Sequence, residues 1–281
     1  MDQIIPDLAG YDILLANISG GKDSQTMLRE LVRQADGQHV SRDRIVCVFA
    51  DLGDEDEWEG TQDIARHHAE VYGLRFIVAT KTSKDGETIT LLDHIANRGM
   101  WPSRQSRYCT SDLKRDPITK VMTALAAEWR GHRGYGGQVR ILNVMGLRAE
   151  ESPARALVPV FEHNKRASGQ GTSKYVDNWN PIHHLTTAQV WADIRESGVK
   201  HHPIYDEGML RLSCRFCVLA GKSTLVRAAQ LDPRGAAKRA AMEQEMGHTI
   251  SMAGTPFTEI IAEAERLTAQ GIKAVPVTHI G

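Results

Sequence analysis

The chain has 281 residues, 41% hydrophobic and 25% charged, enough to bury a core without a disulfide or metal staple. Its 34 basic and 35 acidic side chains nearly cancel, so no overall field advertises a nucleic-acid partner, and only a local patch could do so. No apolar run approaches the ~20 residues that span a bilayer, and the N-terminus MDQIIPDLAG lacks the basic start of a signal peptide; the expectation is a cytoplasmic protein with no membrane partner.

In chain order, four short apolar runs predict strands: Asp12–Ile18, Arg44–Asp51, Leu74–Thr80 and Arg140–Leu147. Near-continuous apolar runs of this length fit parallel strands covered on both faces. Between the first two, SQTMLRELVRQA places Met27, Leu28, Leu31 and Val32 on one helical face. Between the second and third, TQDIARHHAEVYG repeats the pattern with Gly73 as its stop. Alternating strand and helix predict a doubly wound, Rossmann-like α/β fold. The polar, Gly/Ser-rich stretch His163–Asn178 predicts a mobile loop. Beyond Asn180 the pattern turns helical: Thr186 and Gln189 form a capping box closed by Gly198, residues 222–246 are helical, and Thr255 caps a last helix ending at Gly271. Two parts are expected, 1–205 with the sheet and 206–281 with a helical C-terminal region.

The stretch SGGKDS, Ser19–Ser24, lies where the first strand passes into the first helix. Ligands of open α/β sheets bind at such strand ends. Gly20 and Gly21 allow a tight turn and close backbone approach, and the helix amides and dipole favour an anion. Lys22 adds a positive charge, and Ser19 and Ser24 add hydroxyl donors. The bland alternative is a helix cap after a tight turn. A Walker A loop is excluded, because the decoy AGKST (220–224) has Phe216 where the first glycine is required.

SGGKDS closely resembles the PP-loop of the N-type ATP pyrophosphatases. That resemblance implies an adenine nucleotide alpha hydrolase-like fold that binds ATP and cleaves it to AMP and pyrophosphate. Three further segments resemble the PAPS reductase branch: VFADLGDEDEWEGT (48–61), GLRAEESPAR (146–155) and WNPIHHLTTAQVWADIRESGVKHHPIYDEG (179–208). The resemblance covers roughly residues 10–220. It implies nucleotide contacts at Ser19, Gly20, Gly21, Lys22, Asp23, Ser24, Gly146 and Arg148. Asp23, Asp51 and Glu55 are either solvated acids or, beside a bound triphosphate, ligands of Mg2+. Arg155 is a second candidate anion contact.

Four cysteines are too few for a disulfide framework. Cys47 falls inside a predicted strand and is expected in the core. Cys214 and Cys217 form a C-x-x-C, which chance, a zinc pair, or a redox or iron–sulfur pair would explain. Assimilatory adenylylsulfate reductases hold a 4Fe-4S cluster with a Cys-Cys pair and a distant C-x-x-C. In the similar segment here, Cys109 matches the first Cys and Thr110 replaces the second. Three thiolates leave one iron open, as in ATP-dependent thiolation enzymes. RYCTSDLK with the C-x-x-C also resembles the ATP pyrophosphatase subunit of DNA phosphorothioation systems. The alternative is zinc, with His201 and His202 available to complete its shell.

Reductases of this branch use a nucleophilic cysteine in a C-terminal tail, and no cysteine follows Cys217 in these residues. The expectation is therefore an adenylating sulfurtransferase rather than a conventional reductase, served by a sulfur donor such as a cysteine desulfurase. Arg98, Arg104 and Arg107 beside Trp101 and Tyr108 suggest a nucleic-acid acceptor, with arginines on phosphate and rings on bases. A basic lid over ATP or a small anion is the plainer reading. A reductase acting on adenylylated sulfate and a non-catalytic nucleotide-binding module are the competing functions.

Overall fold

The computed structural model describes residues 4–134, 136–169 and 173–275. The first half alternates β1 (Ile13–Asn17), α1 (Lys22–Gly37), β2 (Ile45–Ala50), α2 (Thr61–Glu70) and β3 (Arg75–Ala79). After α3 (Leu91–Arg98), a helical turn at Tyr108–Thr110 and a wider π-helical turn at Ser111–Arg115 lead into α4 (Asp116–Arg133). Then come β4 (Val139–Val144), β5 (Phe161–His163) and β6 (Lys174–Trp179). The C-terminal third carries α5 (Thr187–Ser197), α6 (Lys222–Leu231), α7 (Pro233–Met246) and α8 (Phe257–Ala269).

The sheet order is β3-β2-β1-β4-β6-β5, parallel throughout except for the antiparallel edge pair β5/β6. This is the doubly wound α/β architecture expected from the strand–helix alternation. The order reverses at β1, whose neighbours are β2 and β4, and a crevice opens there at the strand ends. Ile13, Leu14, Leu15 and Ala16 are all buried because helices cover both faces. One face holds Met27, Leu28 and Leu31 of α1 with Ala65 and Ala69 of α2; the other holds Met122, Leu125 and Ala126 of α4. A third cluster joins Leu52, Trp58, Leu91 and Trp101 to Leu225, Phe257 and Ile260, so one core spans the sheet-end loops and the C-terminal helices. Among the described residues no helix is long and apolar enough to cross a membrane.

Several expectations need correction. The stretch His163–Asn178 contains the end of β5, a short helix at Lys165–Ser168 and most of β6; Gln170–Thr172 lie outside the described residues. Its polar side chains suggest a loop, yet those of Ser168, Lys174, Asp177 and Asn178 are buried and bonded. Lys174 Nζ donates to Thr123 Oγ1 at 3.0 Å, and Asp177 accepts from the Tyr11 hydroxyl at 2.7 Å. A row of amides crosses the sheet: Asn17 Nδ2 to Asn143 Oδ1 (2.7 Å), Asn143 Nδ2 to Asn178 Oδ1 (2.8 Å), Asn178 Nδ2 to Glu162 Oε1 (3.1 Å). Burial is tolerated because each polar group has its partner. The helical stretch 222–246 is two helices. Pro233 cannot continue α6, and the Asp232 side chain caps the new start by accepting from Gly235 N–H. The last helix is capped at Pro256 rather than Thr255. The box of Thr186 and Gln189 and the left-handed Gly198 end α5 as expected.

Candidate active site

The Ser19–Ser24 loop leaves β1 and enters α1 at the strand-order reversal. Gly20 has φ +74°, and a Cβ there would sit 2.9 Å from the Thr61 carbonyl oxygen. Only glycine makes this turn without strain. The Ser24 hydroxyl donates to Gly21 O at 2.9 Å and accepts from Ser19 N–H at 3.1 Å, which ties the loop to itself. Gly146 follows β4 and presses on the loop from the other side. A Cβ at Gly146 would lie 2.7 Å from the Asp23 carbonyl oxygen.

Asp23 is the charge hub. It accepts from Lys22 Nζ at 3.0 Å and from Arg148 Nε at 2.6 Å. Both cations are buried, with side chains 3% exposed. Arg148 also reaches Glu150 at 2.8 Å. A second hub, Glu151, holds Arg155 on one oxygen and Arg211 on the other, the latter at 3.0 Å. Tyr205 stands between the hubs. Its hydroxyl accepts from Lys22 N–H at 3.0 Å and keeps its own proton to donate. Burial first, then Asp23, raises the Tyr205 pKa and keeps the phenol neutral.

Two cavities meet at Tyr205, Glu151 and Arg211. The smaller, about 180 Å³, is polar and lies over the loop, lined by Ser19, Gly21, Asp23, Ser24, Gly146 and Arg155. The larger, about 470 Å³, runs along the flank of α1 and α5 and contains Lys22, Arg148 and Trp191. Lys22 therefore faces the larger cavity, while Arg155 and Arg211 are the cations of the smaller one. Tyr205 and Glu151 lie inside the PIYDEG and GLRAEES segments but carry no signal of their own in the sequence. Arg211, three residues before Cys214, carries none either.

Asp51 follows β2 and caps the Gly53 N–H at 2.8 Å; it lines neither cavity. Glu55 pairs with Lys238 on the surface. The acidic turn is held from the C-terminal side. Arg215, between the two cysteines of the C-x-x-C, donates to the carbonyls of Asp54 and Glu57 and pairs with Asp232 at 2.6 Å. Arg239 pairs with Asp56 at 2.9 Å.

Cys109, Cys214 and Cys217 are partly buried, and Cys109 and Cys214 pack against the third core cluster. Burial above all, and then the neighbouring thiols, raise the pKa of Cys214 and Cys217, while Lys114 opposes the rise. Cys47 is apart, fully buried in β2, its thiol pushed up to about 12 by burial. Among the described residues no three His, Cys, Asp or Glu side chains are arranged to hold a single metal ion. His202 is committed elsewhere: Nδ1 accepts from Ile204 N–H and Nε2 bonds the Thr61 hydroxyl. His201 bonds Asp206 at 2.9 Å.

The aromatic patch before Cys109 is not a stacking surface. Trp101 is 6% exposed and donates to the His248 carbonyl, and Tyr108 is 4% exposed and donates to the Met100 carbonyl. Both rings belong to the core because the segment folds inward there. Arg104 and Arg107 remain exposed, and Arg98 is paired with Asp112.

A buried acid near the thiols gives a pH prediction. Burial pushes the Glu57 carboxyl up to about 8, with Asp51 and Asp56 adding and Lys114 opposing. The unfolded chain ionises it near 4.5, so its contribution is intact below that pH and is lost as pH rises through 8. Glu57→Gln is expected to gain about 1–2 kcal/mol over wild type at pH 9, after discounting for partial exposure, and nothing at pH 4. Urea melts at the two pH values check this; an equal difference at both would remove the buried-acid explanation.

The phosphoadenosine phosphosulfate reductase domain matches residues 13–220. The chain belongs to that family. Among curated relatives, a phosphoadenosine 5'-phosphosulfate reductase of Gloeobacter violaceus is 31% identical over 40% of this chain and 37% of its own length. An adenosine 5'-phosphosulfate reductase of Allochromatium vinosum is 29% identical over 42% and 37%. An uncharacterised 37.8 kDa protein of Escherichia phage 186 is 30% identical over 48% and 36%. The matched stretches thus span little more than a third of these relatives. Similar solved structures include a phosphoadenylyl-sulfate reductase of Candida auris (17% identity, TM-score 0.46, covering 74% of this chain and 83% of that one). Another is a U34-tRNA thiolase of Methanococcus maripaludis with its 4Fe-4S cluster (15%, 0.46, 95% and 75%).

Proposed function

We propose that the chain is an ATP-dependent, adenylating sulfurtransferase acting on a nucleic-acid acceptor. The observation that carries this is the small polar cavity bounded by the Ser19–Ser24 loop on one side and by Arg155 and Arg211 on the other. ATP would place its phosphates in that cavity. An acceptor oxygen attacks the α-phosphorus, and the bond to pyrophosphate breaks. The loop hydroxyls, Arg155 and Arg211 hold the negative charge that develops on the leaving pyrophosphate. Arg148 and Lys22 hold Asp23 in place. A Mg2+ entering with ATP would take phosphate oxygens and the Asp23 carboxylate, the one acid of the loop that lines the cavity.

Soft thiolates suit a thiophilic iron–sulfur group, and this reading needs Cys109, Cys214 and Cys217 to converge on one. Cys109, Cys214 and Cys217 would hold such an iron–sulfur cluster, and when bound it would supply a carrier for sulfur. A sulfur donor such as a cysteine desulfurase, with a thiol reductant that brings its persulfide sulfur to the sulfide level, would complete the system: sulfide displaces AMP from the adenylated acceptor, and the acceptor oxygen leaves on AMP. Exposed Arg104 and Arg107 would steer the acceptor's phosphates.

The test is product analysis with ATP, a sulfur source and mixed cellular nucleic acids. AMP with pyrophosphate, and label from sulfur in the acceptor, are expected; ADP as the main product would defeat the reading. The reductase reading is favoured by the family match. Robust sulfite release from PAPS or APS with a thiol donor would select it instead.

A further inference from the structure

The larger cavity has a volume typical of sites that enclose a small ring system. Its far wall is Trp191, half-buried and braced edge-on by Tyr205 (centroids 5.1 Å, 90°) and by His201 (5.4 Å, 87°). Met209 and Leu210 add apolar surface, and Leu210 is 45% exposed with nothing over it among the described residues. Each cation lining the cavity already has a carboxylate: Lys22 has Asp23, Arg148 has Asp23 and Glu150, Arg211 has Glu151. The indole of Trp191, with Met209 and Leu210 beside it, gives this cavity a flat apolar wall that suits a planar group. The cavity shares Tyr205, Glu151 and Arg211 with the loop cavity as lining, so a ligand seated here lies beside the proposed phosphate site.

We infer that the larger cavity seats one nucleobase of the acceptor, stacked on Trp191, with the attached phosphodiester backbone passing Arg211 toward the loop. This rests on the nucleic-acid reading above and extends it to a particular side chain. A ring on a tryptophan face is bound with little regard to sequence, so the cavity would position a nucleotide rather than select it. The adenine of ATP has the same ring chemistry, and the test separates the two sources.

The experiment is direct binding, at fixed low salt, of a fluorescent ten-nucleotide single strand and of a non-hydrolysable ATP analogue. Trp191→Ala is expected to weaken the strand roughly 10-fold, Trp191→Phe less than about 3-fold, with the ATP analogue unchanged in both. With wild type, an abasic site moved along the strand should find one position that costs as much as Trp191→Ala, and that penalty should vanish in Trp191→Ala. This arm does not depend on a variant folding. Parallel losses for strand and ATP analogue would assign the cavity to ATP's own adenine and overturn the inference. So would an abasic penalty that persists unchanged in Trp191→Ala, or a strand affinity indifferent to every abasic position. AMP formation by wild type reads the parent proposal separately: AMP without any base-dependent position defeats only the present inference.

Discussion

Gly146→Ala is expected to lower nucleotide affinity at least 10-fold and AMP formation at least 100-fold. The added methyl would stand 2.7 Å from the Asp23 carbonyl oxygen and 2.8 Å from its carbon. Those are backbone atoms in the first turn of α1, and they cannot swing aside as a side chain can. Either the segment after β4 retreats, taking Arg148 from Asp23, or the loop shifts and closes the small cavity. Overpacking of this kind costs about 1–3 kcal/mol in stability, so the variant should still fold at room temperature while failing at the site. Isothermal titration with a non-hydrolysable ATP analogue, beside a thermal melt, measures both effects. A variant that binds the analogue as wild type does would show that the Gly146 contact does not set the loop.

Cys109→Ala, Cys214→Ala and Cys217→Ala are each expected to abolish sulfur incorporation, a loss of at least 100-fold, while leaving AMP formation within a few-fold of wild type. On the proposed reading the loop, Arg155 and Arg211 would hold the phosphates without help from sulfur, so the two half-reactions should separate. Iron and sulfide in anaerobic preparations should fall in all three variants. Cys47→Ala is the control. It lies apart in β2, and its loss should cost about 1–2 kcal/mol of packing with metal content unchanged. If the three variants lost AMP formation as completely as sulfur transfer, the thiols would belong to the nucleotide site or to the fold, and the division of labour would be wrong.

The early strands and the loop were legible because their signals are local. Apolar runs ending in Gly-rich turns mark parallel strands, and the loop chemistry lies in six consecutive residues. Tyr205 and Arg211 were not legible, since their partners are set by a fold that brings Tyr205 back to Lys22 over 183 positions and Arg211 back to Glu151 over 60. Trp101 and Tyr108 misled for a related reason. Aromatic residues among arginines have the composition of a nucleic-acid surface, but only packing decides whether the rings face solvent or core. The stretch that became β6 misled because polarity was taken for exposure. Lys174, Asp177 and Asn178 are buried with partners on other elements, and such partners leave no trace in the strand's own pattern.

The amide row across the sheet works as an alignment key. Asn143, Asn178 and Glu162 stand directly opposite one another on β4, β6 and β5, and Asn17 lies two residues beyond Asn143's partner Leu15, on the same face. A slip of one residue between any two strands would turn a rung to the opposite face and leave its neighbour's buried amide unmatched. Apolar strands slide past one another with little penalty when both faces are greasy; these strands have a single admissible stagger. The inner rungs are each bonded on both sides, so no inner rung can be exchanged without disturbing two others, and sequence drift at Asn143 or Asn178 is restrained in pairs. The geometry of the crevice beside Asn17 is thereby guaranteed from the far edge of the sheet.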